Sequence, residues 1–137
     1  MKKFIVSIDA GTTSNRSILF NLKGKPIFSS QKEFTQYFPK SGWVEHDPEE
    51  IWKTTLKTLR DVISRAKKSK GKILAIGITN QRETTVLWDK KTGKPVYKAI
   101  VWQDRRQAEY CKKLKKQNKE TIIFNKTGLP IDSYFSG

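Results

Sequence analysis

Short apolar runs alternate with polar turns through the first third of the chain, and this pattern predicts β-strands. The runs are 4–8, 17–22 and 27–34, and a tight turn at 23–26 separates the second from the third. Because so few residues join the runs, we expect antiparallel hairpins rather than crossover connections. The segment 35–45 contains Pro, Gly and aromatic residues, which predicts an ordered loop.

The clearest helix signal begins at Asp47. Asp47 suits the N-cap position, Pro48 suits the first helical position, and Glu50 completes a capping-box-like pattern. Apolar residues then recur at the 3.6-residue period as far as Ala66, and lysines crowd the end of this stretch. The pattern therefore predicts an amphipathic helix.

The second half of the chain predicts three further strands. The run 73–78 is almost wholly apolar, as in a central strand that is buried on both faces. The runs 84–88 and 96–102 flank a Gly-containing loop at 89–94, which predicts a hairpin.

Helical signals return after these strands. The segment 105–117 has helical periodicity, and 121–125 extends or restarts that helix before Gly128, which suits a helix C-terminus. A chain of 137 residues has room for one domain of ordinary size. Antiparallel strands followed by a β-α-β unit describe a mixed α/β layer domain.

The net charge of +15 changes this picture little. It arises from 28 Lys and Arg against 13 Asp and Glu, and such a balance is typical of nucleic-acid-binding proteins. However, 22 of the 28 are Lys, whereas recognition of bases and phosphates favours Arg. We therefore interpret the charge as a lysine-rich solvated surface and expect no nucleic-acid partner.

Other counts narrow the class of protein. One Cys and one His exclude an internal disulfide framework and a multi-histidine metal site. No run approaches the roughly 20 apolar residues of a membrane span, and the N-terminal run is too short for a signal peptide. We expect a cytoplasmic chain with no membrane partner.

The polar turn between the first two predicted strands is the first candidate site. Its residues are Asp9, Gly11, Thr12, Thr13, Ser14 and Arg16. Glycine lets a phosphate approach the backbone, hydroxyls and arginine donate to phosphate oxygens, and a carboxylate at a strand end suits hydrated Mg²⁺. The same residue types also form plain hairpin turns, so both interpretations stay open at this point.

The second candidate site follows the apolar run 73–78. Six consecutive polar residues, 79–84, lie where strands of α/β proteins end and ligands bind. Within them, the adjacent Arg82 and Glu83 offer a donor and an acceptor to a small polyol. A solvated turn with both side chains exposed is the alternative.

Aromatic residues mark a third candidate site. Trp102 stands where an apolar strand meets a helix, and its ring suits the carbon face of a ligand. The arginines at 105–106 suit an anion or ion pairs with nearby carboxylates, and we favour the structural interpretation. Tyr134 fits an interface, a ligand contact or the core.

Five segments, in this order, resemble the FGGY carbohydrate kinase family, and within it the branch that phosphorylates glycerol. They are IDAGTTSNR (8–16), GWVEHDPEEIW (42–52), AIGITNQRETTVLWDKKTGKPVY (75–97), IVWQDRR (100–106) and TGLPIDSYFSG (127–137). The resemblance covers essentially the whole chain. It implies an α/β fold of the actin-like, ribonuclease-H-type class, with a mixed sheet and flanking helices.

The resemblance also implies roles for the matching residues. The loop that contacts ATP phosphates corresponds to Thr12, Thr13, Ser14 and Arg16, and the aspartate associated with Mg²⁺ corresponds to Asp9. The glycerol-binding positions correspond to Arg82, Glu83 and Tyr134, and an aromatic residue lining the glycerol pocket corresponds to Trp102. ATP and Mg²⁺ are the implied cofactors, and glycerol is the implied acceptor.

One departure from the family pattern concerns catalysis. Family members carry the general base on an aspartate well downstream, and they bind adenosine with a C-terminal domain. We therefore expect residues 1–137 to be a partial N-terminal domain, with the base downstream of Gly137 and the C-terminal domain absent. We expect this stretch alone to be inactive and the full-length protein to form a homo-oligomer.

Three alternatives remain beside this interpretation. The first is another FGGY sugar kinase with a different acceptor. The second is a small basic nucleic-acid-binding protein, which would bind with a steep salt dependence. The third is a non-catalytic regulator that shares the actin-like fold.

Overall fold

The structure, a computed structural model, describes residues 1–135, which divide into two units by their internal contacts. Unit 1 comprises Met1–Thr35 and Asp47–Gln81, and unit 2 comprises Gln36–His46 and the residues from Arg82 onward. The elements in chain order are β1 (Lys2–Ala10), β2 (Ser14–Asn21), β3 (Pro26–Glu33), β4 (Glu45–His46), α1 (Pro48–Lys68), β5 (Gly71–Thr79), β6 (Ala99–Ile100), α2 (Ala108–Lys116) and α3 (Glu120–Thr127). The last two residues of the motif at 127–137 lie outside the described residues.

Unit 1 contains a four-stranded mixed sheet in the order β3-β2-β1-β5. The pairs β1–β2 and β2–β3 are antiparallel, which confirms the two predicted hairpins. The pair β1–β5 is parallel, and α1 supplies the crossover between the sheet's antiparallel part and β5. The expected β-α-β unit is therefore present beside the hairpins.

The core of unit 1 lies between α1 and one face of the sheet. Alternate residues of β1 point into it, because side chains along a strand alternate between the two faces. Its buried members are Phe4, Val6, Ile8, Leu19, Val62 and Ala66. Burying a side chain of this size contributes roughly 1.5–3 kcal/mol to folding.

The start of α1 is the one predicted from the sequence. Asp47 is the N-cap, and its Oδ1 accepts a hydrogen bond of 2.9 Å from the backbone N–H of Glu49. Pro48 occupies the first helical position. Further along, the hydroxyls of Ser17 on β2 and Thr58 on α1 share a buried hydrogen bond of 2.9 Å. These two buried hydroxyl groups thus satisfy each other.

The position of β5 differs from the prediction. The apolar pattern predicted a central strand buried on both faces, but this is wrong for the described residues, where β5 pairs with β1 alone. Leu74 and Ile76 are each 48% exposed, and Ile78 is 73% exposed. The physical reason is that β5 is an edge strand among the described residues and no described element packs over these three side chains.

Unit 2 contains little regular sheet. Strands β4 and β6 pair antiparallel over two residues each, and isolated bridges join Thr85 to Ile100 and Trp88 to Pro95. The predicted strands 84–88 and 96–102 are therefore mostly irregular, although the loop between them closes as a hairpin through the N–H of Asp89 and the carbonyl of Lys94.

The helices of unit 2 agree with the prediction. Helix α2 lies within the predicted segment 105–117, and α3 restarts helical structure after it. Helix α3 ends at Gly128, whose φ of 73° is left-handed and therefore favours glycine. None of the helices in the described part of the chain is both long and apolar enough to cross a membrane.

Candidate functional site

The turn between β1 and β2 is held in one shape by its own backbone. The N–H of Gly11 donates to the carbonyl of Ser14 at 3.0 Å. A Cβ atom added at Gly11 would lie 2.8 Å from that carbonyl oxygen, closer than real contacts allow. Only glycine therefore fits here without a shift of the turn.

Two oppositely charged side chains flank this turn. Asp9 at the end of β1 and Arg16 on β2 are cross-strand partners, and Nη2 of Arg16 donates to Oδ2 of Asp9 at 2.9 Å. Their side chains are 41% and 46% exposed, so both remain accessible. Asp9 also lies beside Thr79 in the parallel register, at the carboxyl ends of β1 and β5. Ligands of open α/β sheets bind at this edge.

The hydroxyl residues of the turn are anchored by β3 and the residue after it. Gln31 donates from Nε2 to Oγ of Ser14 at 2.8 Å, and the N–H of Phe34 donates to the carbonyl of Thr13 at 3.3 Å. Thr13 is exposed and Thr12 is half-buried. Unit 1 thus brings together all five residues predicted to bind phosphates and metal, namely Asp9, Thr12, Thr13, Ser14 and Arg16.

The donor set of this turn fits a nucleotide-bound Mg²⁺ rather than an all-protein metal cage. Within residues 1–135 there is no cluster of three or more His, Cys, Asp or Glu side chains. Mg²⁺ in kinase-type sites keeps several waters and takes one or two carboxylates together with substrate phosphates. The single carboxylate of Asp9, beside a hydroxyl-lined turn, meets that requirement.

Unit 2 contains a cavity of about 350 Å³, within the size range of small-molecule sites. Its wall is formed in part by Glu83, Trp102, Arg106, Gln107, Ser133 and Phe135. Two of the four predicted polyol-binding residues, Glu83 and Trp102, therefore line one cavity. Arg82 is exposed and is not among the lining residues.

Glu83 has an unusual backbone conformation. Its φ is 59°, in the left-handed region that residues with a Cβ rarely occupy. Such strained residues concentrate at binding and catalytic sites, where the surrounding structure holds them. The conformation at Glu83 is therefore consistent with a functional position, and the adjacent Arg82 shares the same turn.

The fourth predicted residue, Tyr134, contacts the cavity wall. Its ring meets that of Trp102 edge-on, with centroids 5.3 Å apart, and meets that of Phe135 edge-on at 5.0 Å. Edge-to-face packing is the favoured arrangement of aromatic pairs. The three rings form an aromatic cluster, which includes two lining residues of the cavity.

A buried ion network adjoins the cavity through Arg106, which is one of the lining residues. Arg106 donates from Nε and Nη2 to the two carboxylate oxygens of Asp104, at 2.9 and 2.8 Å, and from Nη2 to Glu45 at 2.7 Å. Its guanidinium also stacks 3.7 Å above the ring of Trp43. The ion pair with a nearby carboxylate that the sequence suggested for the arginines is therefore present at Arg106.

The hydrogen bonds of this network keep Asp104 and Arg106 ionised. Burial alone raises the pKa of Asp104, but hydrogen bonds from Arg106 and from the N–H of Val44 outweigh this and hold the pKa below its ordinary value. The hydrogen bond to Asp104 in turn raises the pKa of Arg106, so Arg106 stays a cation.

Gln107, Ser133 and Phe135 also line the cavity, although the sequence did not predict them as site residues. Gln107 directly precedes α2, and its Nε2 donates to the backbone carbonyl of Ser133 at 2.8 Å. No signal in the sequence could have found this contact, because it joins residues 26 positions apart through a backbone atom.

Comparison with known proteins places these features in context. The sequence profile of the N-terminal domain of the FGGY family of carbohydrate kinases matches residues 4–137. A protein of Malacoplasma penetrans named glycerol kinase is 63% identical over 136 residues, which are 99% of this chain and 27% of that protein. A glycerol kinase of Alkaliphilus metalliredigens is 60% identical over 100% of this chain and 27% of that protein. The chain thus spans about a quarter of the length of these curated relatives.

Solved structures of carbohydrate kinases are also similar in fold to this chain. A glycerol kinase of Plasmodium falciparum with ADP matches 98% of this chain and 27% of its own, with a TM-score of 0.90 at 36% identity. A gluconate kinase of Lactobacillus acidophilus matches 98% of this chain and 26% of its own, with a TM-score of 0.88 at 25% identity. These matches confirm the expected actin-like class, a mixed sheet with flanking helices.

Proposed function

Because the chain belongs to the FGGY family of carbohydrate kinases, we propose that it is part of an ATP-dependent kinase whose acceptor is glycerol. The observation that carries the acceptor is the cavity of unit 2, which is lined by both Glu83 and Trp102. A three-carbon polyol needs both kinds of contact, hydrogen bonds for its hydroxyls and an apolar surface for its carbon chain. The relatives that match the whole chain at high identity, which are named glycerol kinase, support the same choice.

In this proposal, unit 2 binds the acceptor. Glu83 accepts hydrogen bonds from glycerol hydroxyls, and Arg82 donates to them. Trp102 packs against the carbon chain, and Tyr134 adds a phenol at the same aromatic cluster. A site that hydrogen-bonds hydroxyl groups discriminates strongly against ligands that lack them, because its polar groups are then left unpaired.

Unit 1 binds the phosphoryl donor. The hydroxyls of Thr12, Thr13 and Ser14 and the guanidinium of Arg16 donate to the phosphates of ATP, and Asp9 holds Mg²⁺ directly or through water. When bound, Mg²⁺ supplies positive charge that offsets the charge developing on the transferred phosphoryl group. The Asp9–Arg16 ion pair keeps the two side chains oriented for this role before ATP arrives.

The remaining parts of the machinery belong to the rest of such a kinase. We place the general base downstream of Gly137 and treat residues 1–137 as part of the N-terminal domain, with adenosine bound by a C-terminal domain. The whole protein is proposed to be a cytoplasmic homo-oligomer with neither a membrane nor a nucleic-acid partner. On this basis the 137 residues alone do not turn over glycerol, and glycerol-dependent ATP consumption by the purified chain would contradict that.

A chimera tests the proposal as a whole. The chain replaces the 136 matched residues of the Malacoplasma penetrans glycerol kinase, and ADP release is measured with glycerol, gluconate and xylulose as acceptors. We expect kcat/KM for glycerol to exceed that for either sugar by about 100-fold or more. A preference for gluconate or xylulose would assign the chain to another sugar kinase of the family.

A further inference from the structure

We infer that Gln107 is a positioning residue of the unit 2 cavity, because its side-chain amide fixes the backbone of Ser133 and thereby sets Tyr134 against Trp102. The inference rests on the proposed function, since it assigns a role at the same acceptor site. It concerns a residue that does not belong to the motifs of the sequence.

The contact joins two separate parts of unit 2. Gln107 stands directly before α2, and its Nε2 donates to the Ser133 carbonyl at 2.8 Å. Ser133 is 5% exposed, so its carbonyl has little access to water. A buried carbonyl that loses its donor is left unsatisfied, and the backbone then moves to find another partner.

The segment that Gln107 holds carries the aromatic cluster. Tyr134 follows Ser133 directly, and its own N–H donates to Oδ1 of Asp132 at 2.8 Å, which closes a local turn. The ring then meets Trp102 at 5.3 Å. Because Ser133 is the residue before Tyr134, a shift of its carbonyl changes the direction in which the Tyr134 side chain leaves the backbone.

The amide group acts here through its donor end. Nε2 makes the hydrogen bond to Ser133, while Oε1 is buried without a hydrogen-bond partner among the described residues. A carboxylate has the same shape but no N–H to donate. Replacing Gln107 with Glu would therefore set an oxygen against the Ser133 carbonyl oxygen, and the contact would become repulsive while the side-chain volume is kept.

Kinetics of the chimera give the first test. We expect Gln107→Glu to raise KM for glycerol about 10- to 100-fold, since small displacements of a positioning group cost factors of this size. KM for ATP should change less than about twofold. Gln103→Glu is the matched control, because Gln103 is exposed in the same segment and the substitution adds the same charge. It should leave both constants unchanged.

A second measurement does not depend on turnover. In the 137-residue chain itself, a nuclear Overhauser effect between the rings of Trp102 and Tyr134 reports their contact. We expect it to be lost in Gln107→Glu and retained in Gln103→Glu. Persistence of this effect in Gln107→Glu, or an unchanged KM for glycerol, would overturn the inference. A chimera that prefers another acceptor bears on the proposed function alone, because the ring contact is measured without substrate.

Discussion

The carboxylate of Asp104 is fully buried, and each of its two oxygens accepts a hydrogen bond from the guanidinium of Arg106. Backbone N–H groups of Val44 and Arg106 add donors at 2.7 and 2.8 Å. Glu45, which is also buried, accepts from Arg106 and from the hydroxyl of Tyr97 at 3.0 Å. Residues far apart in the sequence of unit 2 are thereby joined by charge as well as by the short β4–β6 pair.

Removing the negative charge at Asp104 should destabilise the chain strongly. Asp104→Asn turns one acceptor oxygen into a donor that faces other donors, and it leaves Arg106 without its main counter-charge. Breaking a buried ion pair in this way costs about 3–5 kcal/mol of unfolding free energy. Urea unfolding followed by circular dichroism measures the loss.

Glu109→Gln is the control for that substitution. It makes the same carboxylate-to-amide change in an ion pair with Lys112 that is largely exposed to solvent. Exposed pairs contribute little to stability, so the unfolding midpoint should not move. Equal losses for Asp104→Asn and Glu109→Gln would show that the network is not what stabilises unit 2.

The free energy of unfolding should also decrease at acidic pH, because the Asp104 carboxylate becomes protonated. The folded pKa of Asp104 is below its unfolded value of about 4, so its contribution is fully present above that value. As pH falls below about 4, Asp104 becomes protonated in the unfolded chain while it stays ionised in the folded chain. The contribution of Asp104 to the free energy of unfolding therefore decreases, and it is lost once the pH has fallen through the folded pKa. Unfolding free energies from about pH 6 to about pH 2 should converge for the unaltered chain and Asp104→Asn. A constant difference between them would contradict the assignment.

Neutralising Asp9 should affect catalysis without affecting folding. In the chimera, we expect Asp9→Asn to lower kcat by about 100-fold or more, since it weakens the group that we propose to hold Mg²⁺ beside the phosphates. KM for glycerol should stay within about twofold, because the residues proposed to bind the acceptor lie in the other unit. The control is Asp61→Asn, which breaks the Lys57–Asp61 pair on α1 and should leave kcat unchanged. Similar kcat values for Asp9→Asn and Asp61→Asn would show that Asp9 does not belong to the proposed phosphate- and metal-binding site.

Adding one methyl group to the turn after β1 should be costly. In Gly11→Ala, the new Cβ meets the Ser14 carbonyl at 2.8 Å, so the turn must open at a cost of about 1–3 kcal/mol. Gly77→Ala on β5 makes the same change where no atom lies within 4 Å, and it should stay within about 0.5 kcal/mol. Chemical denaturation of both variants measures the difference. A neutral Gly11→Ala would mean that the turn is free to rearrange.

The parts of the fold that could be predicted from the sequence are those determined by residues close together in the chain. The start of α1 depends on Asp47 and Pro48, which are adjacent, and the end of α3 depends on Gly128 alone. The prediction for β5 was wrong because burial depends on what covers a strand, not on its own residues. The strands expected at 84–88 and 96–102 are mostly irregular because few of their backbone groups pair with each other.

The candidate site likewise has a part that could be predicted from the sequence and a part that could not. The turn from Asp9 to Arg16 is contiguous, so its residue types and spacing already made it a candidate phosphate site, with a plain hairpin turn as the alternative. The cavity of unit 2 combines Glu83, Trp102 and Gln107 with Ser133, and only tertiary packing brings them together. A sequence can indicate which residue types suit a ligand, but it cannot show a hydrogen bond to a distant backbone carbonyl.

The open edge of β5 has a consequence for how proteins of this family are made in the cell. In a relative whose matched stretch is 27% of its length, nearly three quarters of the polypeptide is still to be synthesised after this N-terminal stretch has emerged. At about 5–20 residues per second, the delay lasts tens of seconds. Throughout that time an apolar strand with unpaired backbone groups is available to neighbouring nascent chains. Completion of synthesis therefore competes with self-association through this strand.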